Sequence, residues 1–462
     1  MCVKLMKKQM YLAALVVLTG LLLGVFYNAH LGVVAPVSAN TAMPLISLTS
    51  ATSSADSITD EKGLGYPDSR KVARDSKGNL YIAYRKKYRT NSAFLYHIFV
   101  AKSSNNGISW TVLNQNRPVE TVGDYTQRVP SLSIDPKDVL HLVWYGLDAK
   151  HTAANDRQIK YTQSTDGGKT WKTWHNLGEV NGYQNESLWQ EHPIIYSDGQ
   201  GKLYVVWEGR DPDHKNAQVK FTKSEDNGQS WTPWTNVAPA NNLYFSRPTI
   251  VATGNGSTLY LLAYAQMPPK QQIVWTQSTD GGATWAEWTA VAPDSQDQRH
   301  VSLAIDSQDR LHAVWRQQPA GLFGSTKTQI HYARYENGAW GAPQRISENP
   351  AMYQFFPSLA INAQDQVWVV WLETPEASDY PKEAPSGGTV YYTVANNGQW
   401  QPSVQLGAPN RALYPSLSWS RQAKLSMPDV VWLEQDNSVA ADAYLIRSTT
   451  GNQAEQIALR TK

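Results

Sequence analysis

From about residue 67 onward the chain alternates apolar and polar residues in short runs, separated by turns of Asp, Asn, Gly and Ser. Alternation with a period of two buries one face of each run and predicts β-strands, and two such runs flanking a tight turn predict a hairpin. The hairpins repeat. One half-motif reads PSLSIDPKDVLHLVW (Pro130 to Trp144), PIIYSDGQGKLYVVW (Pro193 to Trp207), VSLAIDSQDRLHAVW (Val301 to Trp315) and PSLAINAQDQVWVVW (Pro357 to Trp371), with looser copies from Pro67, Pro248 and Pro415. A second follows each time: IFVAKSSNNGISW (Ile98 to Trp110), IKYTQSTDGGKTW (Ile159 to Trp171), VKFTKSEDNGQSW (Val219 to Trp231) and IVWTQSTDGGATW (Ile273 to Trp285). Eroded copies end at Trp340 and Trp400, and a last one spans Ala443 to Ser448 without the turn.

Two hairpins make a unit of four antiparallel strands, A to D, recurring about every 57 residues. All-β repeats of this length suit the radial sheets of a β-propeller, and the count gives seven four-stranded blades over residues 63–462. Six blades with a divergent flanking half is the alternative, because the last D strand, Gln456 to Leu459, is weak. Pro44 to Ser50 could pair there instead and close the ring.

The N-terminus has a different pattern. Lys4, Lys7 and Lys8 precede an uncharged run from Met10 to Phe26, and Val37-Ser38-Ala39 follows with small residues. Residues 1–39 therefore read as a signal peptide or signal anchor built on an apolar helix, placing the protein outside the cytoplasm, secreted or anchored to the outer face of the cytoplasmic membrane by residues 10–26. Residues 40–62, rich in Ser, Thr and Ala, read as a flexible tether.

Composition adds exclusions. Aromatics are 11% of the chain, with 18 Trp and 24 Tyr, which supplies a large core. The formal net charge is +2, including those three lysines, so no electrostatic footprint for nucleic acid exists. The single cysteine, Cys2, leaves no intrachain disulfide and no thiolate metal site. No cofactor is expected.

In the turn Ser164-Thr165-Asp166-Gly167-Gly168-Lys169-Thr170-Trp171, Asp and Ser can accept turn N–H groups, Gly takes positive φ and Trp packs between strands. This Ser-x-Asp-x-Gly-x-Thr-Trp pattern resembles the Asp box, or bacterial neuraminidase repeat, of sialidases and related propellers. It is complete at Ser164 and Ser278; Ser230 replaces Thr in the copy at Ser224, and Asn105 replaces Asp in the first copy. The resemblance implies a box on the face opposite the substrate site, in hydrolases and non-enzymes alike. The box lacks the clustered carboxylates of a Ca²⁺ loop, and no metal site is expected.

The loops entering strand A and joining B to C emerge on one face and vary in length, which marks that face for binding. Around its mouth come Tyr66, Arg128, Glu191, His192, Arg247, Arg299, His300, Phe356 and Tyr414 before strand A. Arg85, Asp148, Glu208, Asp211, Arg316, Glu373 and Glu434 follow strand B. Arg128, Arg247 and Arg299, read as equivalent positions of blades 2, 4 and 5, would hold an anion, with His192, His300 and Arg316 beside them. By resemblance to sialidases these three arginines are the carboxylate clamp, Arg128-Val129-Pro130 standing for the Arg-Ile-Pro motif. Tyr414 or Tyr66 with Glu191, Glu208 or Glu373 would be the nucleophile pair, and Asp148 or Asp211 the acid. The chain departs from the pattern: the motif should open blade 1, which has Gly65-Tyr66-Pro67, and sialidases are expected to have six blades. Tyr66, Phe356 and Tyr414 could equally plug the channel.

Three functions fit. The favoured one is an extracytoplasmic sialidase-like propeller that binds a glycan or a cell-surface protein at its channel mouth, with catalysis left open. The others are an exo-glycosidase acting on terminal anionic sugars, and an assembly factor for a membrane complex. Trp189, Tyr244, Phe245, Tyr353 and Tyr380 are aromatic rim candidates for either kind of ligand.

Overall fold

The computed structural model describes residues 54–449 apart from 67–69, 91, 180–187, 268–269, 295, 319–326, 377–386, 419–427 and 436–443. The apolar run 10–26, the small-residue site at 37–39, Pro44 to Ser50, Pro67, Tyr380 and Gln456 to Leu459 lie outside the described residues.

Seven antiparallel sheets make a seven-bladed β-propeller. In blade 2 the strands A to D are Gln127–Ile134, Leu140–Gly146, Gln158–Ser164 and His175–Asn176. Blades 1, 3 and 4 repeat this order, and in blades 5 and 6 the outer strand is split into two short segments on the same strand C. Blade 7 takes strands A to C from Ala412–Ser418, Asp429–Gln435 and Tyr444–Thr449, and its fourth strand from Ser54–Ile58. The ring therefore closes with the N-terminal strand inside the stretch expected to be a tether. The expected tether boundary at residue 62 is corrected: Ile58 is 2% exposed, and a strand edge left open on blade 7 would carry unpaired backbone groups.

Alternation along each strand sends side chains to both neighbouring blades. Leu132, Leu142 and Trp144 of blade 2 pack on Tyr81, Ala83 and Val100 of blade 1, whereas Val143, Tyr145 and Tyr161 pack on Ile195, Val205 and Trp207 of blade 3. The strand-B tryptophans Trp144, Trp207 and Trp315 are core, as expected, and their indoles are satisfied. Trp144 Nε1 donates to Gln127 Oε1 (2.9 Å), Trp207 Nε1 to Gln190 Oε1 (2.8 Å) and Trp315 Nε1 to Gln317 Oε1 (3.0 Å). His141 and His312 are also structural, each bonded to a strand-C tyrosine hydroxyl at 2.8 Å and to the turn Asp135 or Asp306.

The Asp boxes form as the turn chemistry requires. Asp166 accepts from the backbone N–H (3.0 Å) and hydroxyl (2.6 Å) of Thr170, and Ser164 Oγ accepts from Gly168 N–H (2.9 Å); Asp226 and Asp280 repeat the arrangement. These bonds favour the ionised carboxylate, drawing Asp226 down to about 2. The box tryptophan does not lie between strands of its own blade. Trp231 packs edge-on at 4.9 Å against Tyr161 of the preceding blade, and Gly228, at φ +79°, leaves no room for a Cβ beside that tyrosine. The box is thus a blade-to-blade fastener.

Candidate active site at the channel mouth

Strand A of each of blades 2 to 7 slips register once, between Arg128 and Ser131, Glu191 and Ile194, Ser246 and Thr249, Arg299 and Ser302, Phe355 and Ser358, and Leu413 and Ser416. Inside each slip sits a non-glycine residue in left-handed backbone: Val129, His192, Arg247, His300, Phe356 and Tyr414, with φ from 43° to 54°. Gly65 does the same before blade 1, at φ 66°. Left-handed geometry costs a β-carbon about 1–2 kcal/mol, and it turns these side chains inward. Their convergence on Tyr66 shows it: its ring lies 5.6 Å from His192, 6.1 Å from His300, 6.2 Å from Phe356 and 5.8 Å from Tyr414, and the Arg247 guanidinium stacks on it at 3.3 Å. Tyr66, Phe356 and Tyr414 do fill the channel centre.

Opposite the residue preceding each slip stands a strand-B partner: Arg128 with Tyr145, Glu191 with Glu208, Ser246 with Tyr264, Arg299 with Arg316, Phe355 with Leu372 and Leu413 with Leu433. The ring is therefore polar in blades 2 to 5 and apolar in blades 6 and 7.

On the polar side a cavity of about 280 Å³ brings together Arg85, Arg128, Tyr145, Glu191, His192, Arg247 and Tyr414, with Lys62 and Tyr66. Most of its charges are held by neighbours. Arg85 pairs with Asp60 (2.5 Å), Glu191 with Arg157, and His192 Nδ1 lies 2.5 Å from Glu208 Oε1. Glu208 Oε2 accepts the backbone N–H of Arg247 (2.9 Å). Burial opposes protonation of His192, but Glu208 outweighs it and lifts the imidazole above the ordinary histidine value. Burial, aided by Glu191, raises the Tyr145 phenol and keeps it protonated. Arg128 is exposed and has no hydrogen bond or ion pair among the described residues.

Of the expected ligand residues, Arg128, His192 and Arg247 line this cavity, as do Tyr414 and Glu191, while Glu208 lies behind His192. The three-arginine clamp is corrected. Arg128 and Arg299 precede the register slip but Arg247 sits inside it, and Arg299 turns to Asp297 at 2.6 Å, away from the cavity. His300 is buried, stacked on Phe356 at 5.2 Å, and held neutral by burial and the arginines around it. Arg316 lies over Phe355 at 5.2 Å, outside the cavity.

Asp148 is corrected as an acid candidate. Two residues past the strand, it accepts from Lys160 Nζ (2.6 Å) and Asn176 (3.2 Å), and Asp211 repeats the arrangement with Lys220 (2.5 Å) and Asn236 (3.0 Å). These are buried blade fasteners. Glu373 accepts the indole N–H of Trp371 (3.2 Å), the role Gln127 has for Trp144. Phe245 is fully buried against Trp288 and is not a rim residue.

Tyr145 escaped the sequence reading because it looked like one more aromatic beside Trp144. The signal was available. The residue after the strand-B aromatic reads Arg85, Tyr145, Glu208, Arg316, Leu372 and Leu433, a varied position between uniform core positions. Glu191, His192 and Glu208 also place potential metal-ligand atoms within 4.8 Å of one another. Their donors are already engaged with Arg157, Arg247 and each other, so the set does not fit a cation without dismantling those pairs.

Two family profiles match the chain, one described as a BNR repeat-like domain over residues 124–298 and one as a BNR repeat-containing family member over residues 13–186. No curated protein matches. Among solved structures, the polysaccharide lyase Uly1 is similar over 84% of this chain and 90% of its own, at 11% identity and a TM-score of 0.53. A polysaccharide lyase described as an ulvan lyase is similar over 84% and 95%, at 10% identity and a TM-score of 0.53. A Hadza microbial sialidase is similar over 77% and 74%, at 14% identity and a TM-score of 0.46. The repeats, their boxes and the ring of seven sheets agree: this chain is a β-propeller of the bacterial-neuraminidase-repeat, or Asp-box, kind.

Proposed function

We propose that the channel mouth binds a saccharide bearing a carboxylate. One observation carries this reading: Arg128, exposed and uncommitted, and Arg247 line the same cavity beside the rings of Tyr66 and Tyr414. A guanidinium offers a carboxylate two parallel N–H donors, and aromatic faces receive the apolar face of a sugar ring. A similarly folded lyase was solved bound to -[GlcA(1-4)Rha3S]-, a saccharide with carboxylate and sulfate groups, which supports the ligand class. The lysines at 4, 7 and 8 and the apolar run 10–26 support an extracytoplasmic setting, where such glycans are met.

Cleavage of that saccharide is the second reading, favoured by Tyr145 facing both Glu191 and Arg128. In a retaining hydrolysis the phenol would attack the anomeric carbon while Glu191 takes its proton. The His192–Glu208 couple, with His192 lining the same cavity, would supply the leaving group's proton.

The test combines binding of carboxylated saccharides, sialosides and uronides, with release of a fluorophore from their glycosides, using the full-length chain. Saturable binding that weakens about tenfold or more in Arg128→Ala is expected. Equal binding by that variant, or none by the wild type, overturns the proposal. Turnover abolished in Tyr145→Phe with binding retained would establish the second reading.

A further inference from the structure

On the opposite side of the plug formed by Tyr66, Phe356 and Tyr414, the channel widens into a second cavity of about 460 Å³, which shares no lining residue with the mouth. Its walls are strand-A residues of all seven blades, Leu132, Leu359 and Leu417 among them, with the hydroxyls of Ser302 and Ser358. Each of these two hydroxyls accepts the backbone N–H of the next blade, from Leu359 (3.1 Å) and Leu417 (3.0 Å), which leaves the hydroxyl proton to donate.

Into this cavity opens Arg70. Counting back from the A-to-B hairpin, blades 2, 3, 4, 6 and 7 hold proline at its position (Pro130, Pro193, Pro248, Pro357, Pro415) and blade 5 holds Val301. Blade 1 alone puts a cation there. The Arg70 carbonyl accepts the N–H of Leu132 (2.9 Å), and its guanidinium stacks on Tyr196 at 4.8 Å. Among the described residues it has no carboxylate and no side-chain hydrogen bond. Arg74, also on this cavity, is spent on Asp429 (2.7 and 2.8 Å), and Asp198 accepts the N–H groups of Gln200 (2.7 Å) and Lys202 (3.2 Å) through Oδ1 alone, its Oδ2 being buried without a hydrogen bond among the described residues. Arg70 is half-buried and lines the cavity. Burial also draws its pKa below the ordinary arginine value.

We propose that the rear of the channel is a second binding site, independent of the mouth, in which Arg70 holds a small oxyanion, a carboxylate or a sulfate. The guanidinium fork matches two oxygens of either group, and the serine hydroxyls add donors from blades 5 and 6. The volume is in the range of small-molecule pockets, about 300–1,000 Å³, so an anion with an organic body fits between the leucines.

Equilibrium dialysis of the full-length chain against radiolabelled sulfate, and separately against radiolabelled glucuronate, tests this at constant ionic strength. Saturable retention of one probe is expected, and which probe it is tells the source of the oxyanion. Arg70→Met should weaken retention about tenfold or more, and Arg70→Lys less, because a lysine keeps the charge and loses the fork. Sulfate retention should be unchanged in Arg128→Ala, which alters only the mouth, and glucuronate retention is read with Arg128→Ala as the background chain, so that binding at the mouth does not contribute. Retention undiminished by Arg70→Met, sulfate retention lost in Arg128→Ala instead, or no saturation by either probe overturns the proposal. If Arg70→Met does not fold, Arg70→Lys decides, and undiminished retention there overturns it too.

Discussion

His192 sits in left-handed backbone with its Nδ1 on Glu208, and Glu191, Tyr66, Tyr145 and Arg247 face it. Its pKa is raised in the folded protein, so the His192–Glu208 pairing stabilises the fold fully below the unfolded value of about 6.5 and is lost as pH rises through the higher folded value. The same proton adds positive charge to the mouth. Anion affinity should therefore fall as pH climbs through that window, and His192→Gln should flatten the profile; saccharide binding measured from about pH 5 to 9 checks both. A flat wild-type profile would remove His192 from the site. Asp166 acts far from that chemistry, in a box turn. Asp166→Ala should cost about 1 kcal/mol in urea denaturation, as lost capping bonds do, with saccharide affinity unchanged. Residue types at the mouth were legible in the sequence, but register was not. Arg128 and Arg299 share a position and differ from Arg247 by one residue, and the slip that separates them depends on pairing with strand B. Asp148 illustrates the other loss: its partner Lys160 is twelve residues away on the next strand, where only the folded hairpin reveals the pair.

Strands A and B were the easiest elements to read, because apolar alternation and an Asp- or Asn-bearing turn both mark them. Strand Ser54–Ile58 was not legible. Ser-Ala-Asp-Ser-Ile has one large apolar residue, and its partner Tyr444–Thr449 is at the far end of the chain. Its hold on the ring is nonetheless specific. Ile58 is buried, and Asp56 accepts from the Tyr84 hydroxyl (2.6 Å) and Lys86 Nζ (2.8 Å) of blade 1. Ile58→Ala should destabilise by about 2–4 kcal/mol, the usual cost of truncating a buried isoleucine. Denaturant unfolding of the full-length chain measures it, and a change under about 0.5 kcal/mol, typical of surface positions, would contradict a structural strand.

In the whole ring, blades 1 and 7 meet through chain segments from opposite ends, and the buried bidentate pair of Arg74 with Asp429 crosses that seam. Arg74→Met leaves the Asp429 carboxylate buried without its cation and should cost about 3–5 kcal/mol. Asp429 has its pKa raised by burial despite Arg74, so at this position protonation on acidification favours the folded state. The expected readout is a lower midpoint in urea; an unchanged midpoint would show that the seam does not rely on this pair. The blade count was legible because each repeat carries its own hairpins, whereas the two channel compartments were not, since they arise only when seven inward-facing positions meet. Closure by an N-terminal strand also sets a schedule. Ser57 pairs with Leu445, about 390 residues later. At roughly 5–20 residues per second, synthesis leaves that strand waiting about 20–80 s for its partner. Until the last blade emerges, strand Ser54–Ile58 has no strand to pair with, so handling of the nascent chain, rather than the finished ring, is where aggregation has its opening.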